Sequence, residues 1–169
     1  KGLVKNGNHI IILNDGKVDL DIRILNRKDL DIPYMEFLEI LDTWLIMFTD
    51  PLEEMQDAVD DAFKDGYVLV AYRGDTMVGI TILSTSRYDT FFPNYHLSYI
   101  ATKKDIKGMG IATQLMQKAI EVTNGEFTLH VETDNKRAIK LYEKMGLRKK
   151  YYRMFYKGGV HGDEKQADQ

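Results

Sequence analysis

Tyr95-His96-Leu97-Ser98-Tyr99-Ile100-Ala101-Thr102, and after a four-residue link Lys107-Gly108-Met109-Gly110-Ile111-Ala112, decide how this chain reads, because an extended run gives way there to a helical one. Two glycines one residue apart let the backbone turn tightly and approach a ligand closely. The helix that follows, predicted from Ile111 to Thr123, presents unpaired N–H groups and the positive end of its dipole. Such a junction binds phosphate. Spacing separates the known phosphate loops. A Walker loop needs Lys-Ser/Thr directly after its last glycine, whereas Gly110 is followed by Ile111-Ala112-Thr113. A dinucleotide fingerprint needs Gly or Ala where Thr113 stands, with an acidic ribose ligand at the end of a second strand. Neither fits.

Downstream, the helix predicted from Ile111 to Thr123 buries Ala112, Leu115, Met116, Ala119 and Ile120, and Asn124-Gly125 stops it. Glu126 to Glu132 reads as a strand. Thr133-Asp134-Asn135 offers an N-cap, with Asp134 favoured for it, and Ala138, Leu141, Tyr142 and Met145 make an i, i+3, i+4, i+7 stripe before Gly146. A final strand is expected from Leu147 to about Lys157. The Gly-rich polar tail 158–169 reads as disordered.

Upstream, His9 to Leu13 and Val18 to Leu25 flank Asn14-Asp15-Gly16 and predict an N-terminal hairpin over about 9–25. A helical pattern from Asp29 to Phe48 places Met35, Leu38, Leu41, Leu45 and Phe48 on one stripe, with Pro33 in its first turn or breaking it. Asp50-Pro51-Leu52-Glu53 starts the next helix as N-cap acid, first-turn proline and capping-box glutamate. Its stripe is Leu52, Met55, Val59, Ala62 and Phe63. Tyr67 to Tyr72 and Met77 to Ser84 read as antiparallel strands around Arg73-Gly74-Asp75, with Gly79 marking a bulge or a close approach.

Length and composition bound the function. The 169 residues are 44% hydrophobic and read as a single domain over 1–157 with a substantial core. No run approaches the roughly 18 apolar residues of a membrane span, and no signal peptide opens the chain, so a cytoplasmic location with no membrane partner is expected. Zero cysteines exclude disulfides, thiolate metal sites and a cysteine nucleophile. The four histidines, His9, His96, His130 and His161, lack metal-binding spacing, and no metal is expected. The net charge of −3 conceals twelve acids against one base between Asp29 and Gly66. Lys103 to Lys157 holds thirteen bases against six acids. Opposite halves of the sequence therefore favour partners of opposite sign.

A strand, then a basic residue, then x-x-Gly-x-Ala opening a helix resembles the pyrophosphate loop of the GNAT superfamily of acetyl-CoA-dependent N-acetyltransferases, with Lys107, Gly110 and Ala112 on the signature positions. The run from Leu129 to Leu147, LHVETDNKRAIKLYEKMGL, is similar to that family's second motif, with Asn135, Ala138, Tyr142 and Gly146 on its marked positions. The order of elements agrees along most of the chain. The resemblance implies an α/β fold of the GNAT-like acyl-CoA N-acyltransferase type: a splayed mixed β-sheet flanked by helices. It departs in leaving room for one long strand after Leu147, where many members have two.

The same resemblance implies acetyl-CoA as co-substrate. The pantetheine arm would lie against main-chain groups of Ile100, Ala101 and Thr102, the pyrophosphate on the amides of Lys107, Gly108, Met109, Gly110, Ile111, Ala112 and Thr113, and Asn135 beside the arm. Without a cysteine nucleophile the transfer is direct: an acceptor amine attacks the thioester while both are held together. The amine must lose a proton and the departing thiolate must gain one. Tyr142, by family position, is the acid that protonates the sulfur, although it also completes the apolar stripe of its helix. Glu132 and His96 stand equally as base, and Tyr99 reads as core. A main-chain N–H between Tyr99 and Ala101 is placed to stabilise the oxyanion.

The acceptor is expected to be a small-molecule or peptide amine. In that family the first two helices border the acceptor site, so their acids would attract a cation such as a polyamine, an aminoglycoside or a lysine side chain; as a solvated face they would do nothing of the kind. Two rival functions remain. One is a catalytically silent acetyl-CoA-binding or sensing module. The other takes Arg148, Lys149, Lys150, Tyr151, Tyr152 and Arg153 as a nucleic-acid surface, a pattern that equally describes an ordinary edge strand. An exposed final strand also offers a route to a homodimer.

Overall fold

A computed structural model describes residues 2–6, 9–13, 20–86, 93–106, 109–154 and 156. Seven strands form one sheet in sequence order: β1 (Gly2–Asn6), β2 (His9–Leu13), β3 (Leu20–Leu25), β4 (Tyr67–Arg73), β5 (Thr76–Thr85), β6 (Tyr95–Thr102) and β7 (Phe127–Leu129). Neighbours are antiparallel up to β6, and β7 runs parallel to β6. A parallel pair needs a long crossover, which the helix after the glycine loop supplies. The sequence anticipated the β2–β3 hairpin but not β1. The Asn14-Asp15-Gly16 turn and the tail 158–169 lie outside the described residues.

Helices α1 (Tyr34–Leu45) and α2 (Leu52–Lys64) cover one face, and α3 (Ile111–Val122) and α4 (Lys136–Lys144) the other. Alternation on β4 shows the sorting. Val68, Val70 and Tyr72 pack with Phe37, Leu41, Met55 and Val59, whereas Leu69 and Ala71 pack with Leu115, Met116 and Ala119. Burial on both faces accounts for the nearly continuous apolar runs of β4 and β5. Gly79 permits a close approach next to an irregularity in the β4–β5 register: a Cβ there would lie 2.7 Å from Leu115 Cδ1 and 2.9 Å from Ile111 Cγ2. None of the described helices is long and apolar enough to cross a membrane.

Several local expectations are corrected. The helix expected from Asp29 breaks at Pro33, whose ψ of 140° is extended; a 3-10 turn (Arg27–Asp29) precedes it and α1 begins at Tyr34. The buried side chains of α1 are Phe37, Leu38 and Leu41, while Met35 and Phe48 are exposed. Asp50 does not cap α2: Pro51 takes the N-cap position and no side chain caps it. In α3, Gln114 and Lys118 are buried where Ala112 and Ile120 are only half-buried. Residues 147–154 and 156 form no strand, and Tyr151, Tyr152, Met154 and Tyr156 are exposed. A three-residue β7 offers that segment too short a ladder to continue the sheet.

Candidate active site

A break between β6 and β7 marks the candidate site. Their ladder consists of Tyr95–Phe127, His96–Thr128 and Leu97–Leu129, and then ends. The expected strand to Glu132 is therefore only Phe127–Leu129. Beyond Leu97, β6 continues on its β5 side, where Ile100 pairs with Thr81, Ala101 with Ile80 and Thr102 with Gly79. Among the described residues it has no strand partner on the other side. The main chain of Ile100, Ala101 and Thr102 thus borders an open edge, and such an edge accepts an extended ligand.

A bulge at Ser98 accompanies the break. Ile82 pairs with Tyr99 and Leu83 with Leu97, leaving Ser98 without an opposite number on β5. Strict alternation would place Leu97, Tyr99 and Ala101 on one face. The extra residue sends Leu97 to the α3–α4 face and Tyr99 and Ala101 to the α1–α2 face.

At the far end of β6 the chain enters α3 through Gly110, whose φ of 72° and ψ of 20° are left-handed, the conformation glycine adopts at least cost. Among the described residues no side chain caps this helix, so the N–H groups of Ile111, Ala112 and Thr113 have no partner within it. Lys107 and Gly108 lie outside the described residues. The β4–β5 turn adds a cation that the sequence reading missed: Arg73 Nη1 is 3.8 Å from Met109 Sδ. Only the pairing of β4, β5 and β6 brings these residues together.

Tyr142 lies on the α3–α4 face, buried with Leu97, Ile111 and Leu115. Burial raises the pKa of its phenol and keeps it protonated. Asn135, rather than Asp134, caps α4: its Oδ1 accepts the Ala138 N–H at 3.1 Å.

Polar groups collect on the opposite face. His96 and Thr128 are ladder partners, and His96 Nδ1 lies 3.0 Å from Thr128 Oγ1. The His130 ring stands 4.8 Å from that of His96, and His130 is a second histidine the sequence reading left unassigned. Burial first, and then the neighbouring His130, lowers the His96 pKa. Ser84 Oγ lies 2.8 Å from Ser98 Oγ and donates to Ala58 O. Tyr99 is core as expected, yet its hydroxyl donates to Asp50 Oδ2 at 2.6 Å. Burial chiefly, then that hydrogen bond, raises the Tyr99 pKa.

Asp50 also lines a cleft of about 260 Å³ with Met47, Phe48, Thr49, Glu132 and Asp134. Among the described residues three carboxylates and no base line it. Of the other acids in the first two helices, Asp61 is structural, accepting the N–H and hydroxyl of Thr85, and Asp60 pairs with Arg27 at 3.3 Å. Ile46, at the start of the loop lining the cleft, has φ 60° and ψ −116°. A β-branched residue at positive φ costs about 1–3 kcal/mol, and it ends α1 by turning the chain outward.

A family model described as "Acetyltransferase (GNAT) family" matches residues 36–147. N-alpha-acetyltransferase 30 of Schizosaccharomyces pombe is 29% identical over 98 residues, which cover 54% of this chain and 65% of that protein. Arabidopsis thaliana Naa50, solved with the bisubstrate analogue CoA-Ac-MVNAL, superposes with a TM-score of 0.59 at 21% identity over 75% of this chain and 82% of that one. The aminoglycoside acetyltransferase meta-AAC0020 from an uncultured soil metagenomic sample, in complex with sisomicin, gives a TM-score of 0.60 at 18% identity over 82% and 95%.

Proposed function

The chain belongs to the acetyltransferase (GNAT) family, and from that premise we propose that it moves an acetyl group directly from acetyl-CoA to a primary amine. The observation that carries this reading is the break after Leu97–Leu129, with a buried phenol on one face of the sheet and titratable histidine and carboxylate side chains on the other. Each reactant can approach the gap from its own side.

The residues fit the co-substrate. The open edge at Ile100, Ala101 and Thr102 suits the amides of a pantetheine arm. The uncapped amides of Ile111 to Thr113, with Arg73 beside Met109, suit a pyrophosphate. Asn135 keeps its amide nitrogen for the arm while its oxygen caps α4. Acetyl-CoA supplies the acetyl group as a thioester.

The amine nitrogen bonds to the carbonyl carbon, the carbon–sulfur bond breaks, one proton leaves the amine and one reaches the sulfur. His96 is the group we assign to the first proton. In the tautomer that donates Nδ1–H to Thr128 Oγ1, Nε2 keeps its lone pair, and the lowered pKa favours the neutral ring. Glu132, exposed at the cleft, is the anionic group that steers and holds the ammonium before that transfer. Tyr142 gives its proton to the sulfur and recovers one from solvent. A silent acetyl-CoA-binding module has no need of this polar face, and nothing else favours it.

Calorimetric titration with acetyl-CoA, against NADH and ATP as controls, tests the reading together with amine-dependent CoA release. Selective acetyl-CoA binding and CoA release are expected. Absence of selective binding overturns the proposal.

A further inference from the structure

The connection between α1 and α2 is apolar where a surface loop is ordinarily polar. Ile46, Met47, Phe48 and Leu52 are all exposed, Met47 to 75%, and the chain between them turns into the carboxylate-lined cleft. Elsewhere among the described residues, exposed large hydrophobic side chains are Met35, early in α1, and the group from Tyr151 to Tyr156. Adjacent exposed apolar side chains beside a polar cleft mark a contact surface, whereas single ones do not. Met47 and Phe48 line the same cleft as Asp50, Glu132 and Asp134, so one ligand meets an apolar wall and an anionic floor together.

We infer that the acceptor is a peptide amino terminus whose first side chain is large and apolar, with the ammonium set between Asp50 and Glu132 and the first side chain against Met47 and Phe48. This rests on the acetyl-transfer reading and names the substrate of that site. In such a peptide the amine and the first side chain diverge from one carbon atom, matching a cleft whose two surfaces adjoin. Asp50 is held for this role from behind, because the buried Tyr99 hydroxyl occupies its Oδ2 and leaves Oδ1 for the ammonium. A polyamine or an aminoglycoside presents several cations and no large apolar group, and would leave Met47 and Phe48 facing water. A lysine side chain carries its amine at the end of an unbranched four-carbon stem, with no second side chain diverging beside it. Its pKa near 10.4 also leaves far less free amine near neutrality than an α-amino group, at about 7.7–8.0.

The experiment measures CoA release with acetyl-CoA and a panel of acceptors: one peptide sequence begun with Leu, Met, Phe or Ser, the same peptide N-terminally blocked with an internal lysine, spermidine, and an aminoglycoside. Acetyl-CoA affinity is measured alongside by calorimetry. The expected result is a kcat/KM about ten- to a hundredfold higher for Leu, Met and Phe than for Ser, the range one buried apolar side chain provides. The double variant Met47→Ser/Phe48→Ser should lose most of that preference, mainly through KM, with acetyl-CoA affinity retained as the check that the fold survives. Equal turnover of the Ser peptide, or faster turnover of the blocked lysine peptide, spermidine or the aminoglycoside, overturns the inference and leaves acetyl transfer standing. So does acetyl-CoA binding without turnover of any apolar-first peptide. Failure to bind acetyl-CoA at all overturns the underlying reading instead.

Discussion

The Tyr99 hydroxyl donates to Asp50 Oδ2 at 2.6 Å, tying the strand beside the gap to the residue before α2 across 49 positions of sequence. The phenol is buried and the carboxylate exposed, so the bond anchors a flexible surface group to a fixed one.

Tyr99→Phe removes that donor without changing the ring. A hydrogen bond to a charged group contributes about 1.5–3 kcal/mol, and the exposure of Asp50 places this one toward the lower end. Denaturant titration should show a loss of about 1.5 kcal/mol. The KM for the amine should rise more than kcat falls, since Asp50 loses its orientation and the reacting groups are untouched.

His96 carries a pH dependence. Its folded pKa lies below the ordinary value of 6.5 because burial, and then His130, disfavour the cation. As pH falls below 6.5 the unfolded chain takes up a proton at this residue before the folded one does. Stability should therefore fall from pH 6.5 downward until the folded pKa is reached, and be unaffected by this group above it. The acid limb of kcat/KM should have its midpoint below 6.5, and His96→Gln should remove that limb and lower the rate by about a hundredfold or more.

Tyr142→Phe tests the acid. The phenol sits in an apolar cluster with its pKa raised by burial, so its hydroxyl adds little to packing. Loss of the hydroxyl should leave the melting temperature and acetyl-CoA affinity close to wild type while kcat falls by about a hundredfold. Unchanged kcat with a lower melting temperature would make Tyr142 a core residue only.

Gly79 tests the link between packing and the glycine loop. An alanine Cβ would stand 2.7 Å from Leu115 Cδ1 and 2.9 Å from Ile111 Cγ2, so those side chains must repack. Gly79→Ala should cost about 1–3 kcal/mol by thermal or denaturant unfolding. It should also weaken acetyl-CoA binding, because Ile111 begins the helix to whose amides we assign the pyrophosphate.

Local periodicity made much of this chain legible. The stripe of Ala138, Leu141, Tyr142 and Met145 fits an amphipathic helix, and α4 forms there with Tyr142 buried. The two glycines before Ile111 signalled a tight entry to a helix, and Gly110 is left-handed. Pro33 and Asp50 were harder to place, because a proline tolerates either side of a helix start and an acid that could cap a helix can equally meet a distant phenol. The rest was hidden for a physical reason. A strand's side chains alternate by rule only while its pairing is regular, and the bulge at Ser98 exists because β5 offers no residue opposite it. That one irregularity sends Tyr99 toward Asp50 and Leu97 toward Tyr142. By itself the sequence determined the four helices and the β2–β3 and β4–β5 hairpins, each set by residues close along the chain, whereas β1 was missed and the expected final strand does not form. Only the tertiary structure brought His96 to His130, Arg73 to Met109 and Asp50 to Glu132, since those pairs meet through strand register and helix packing over long separations.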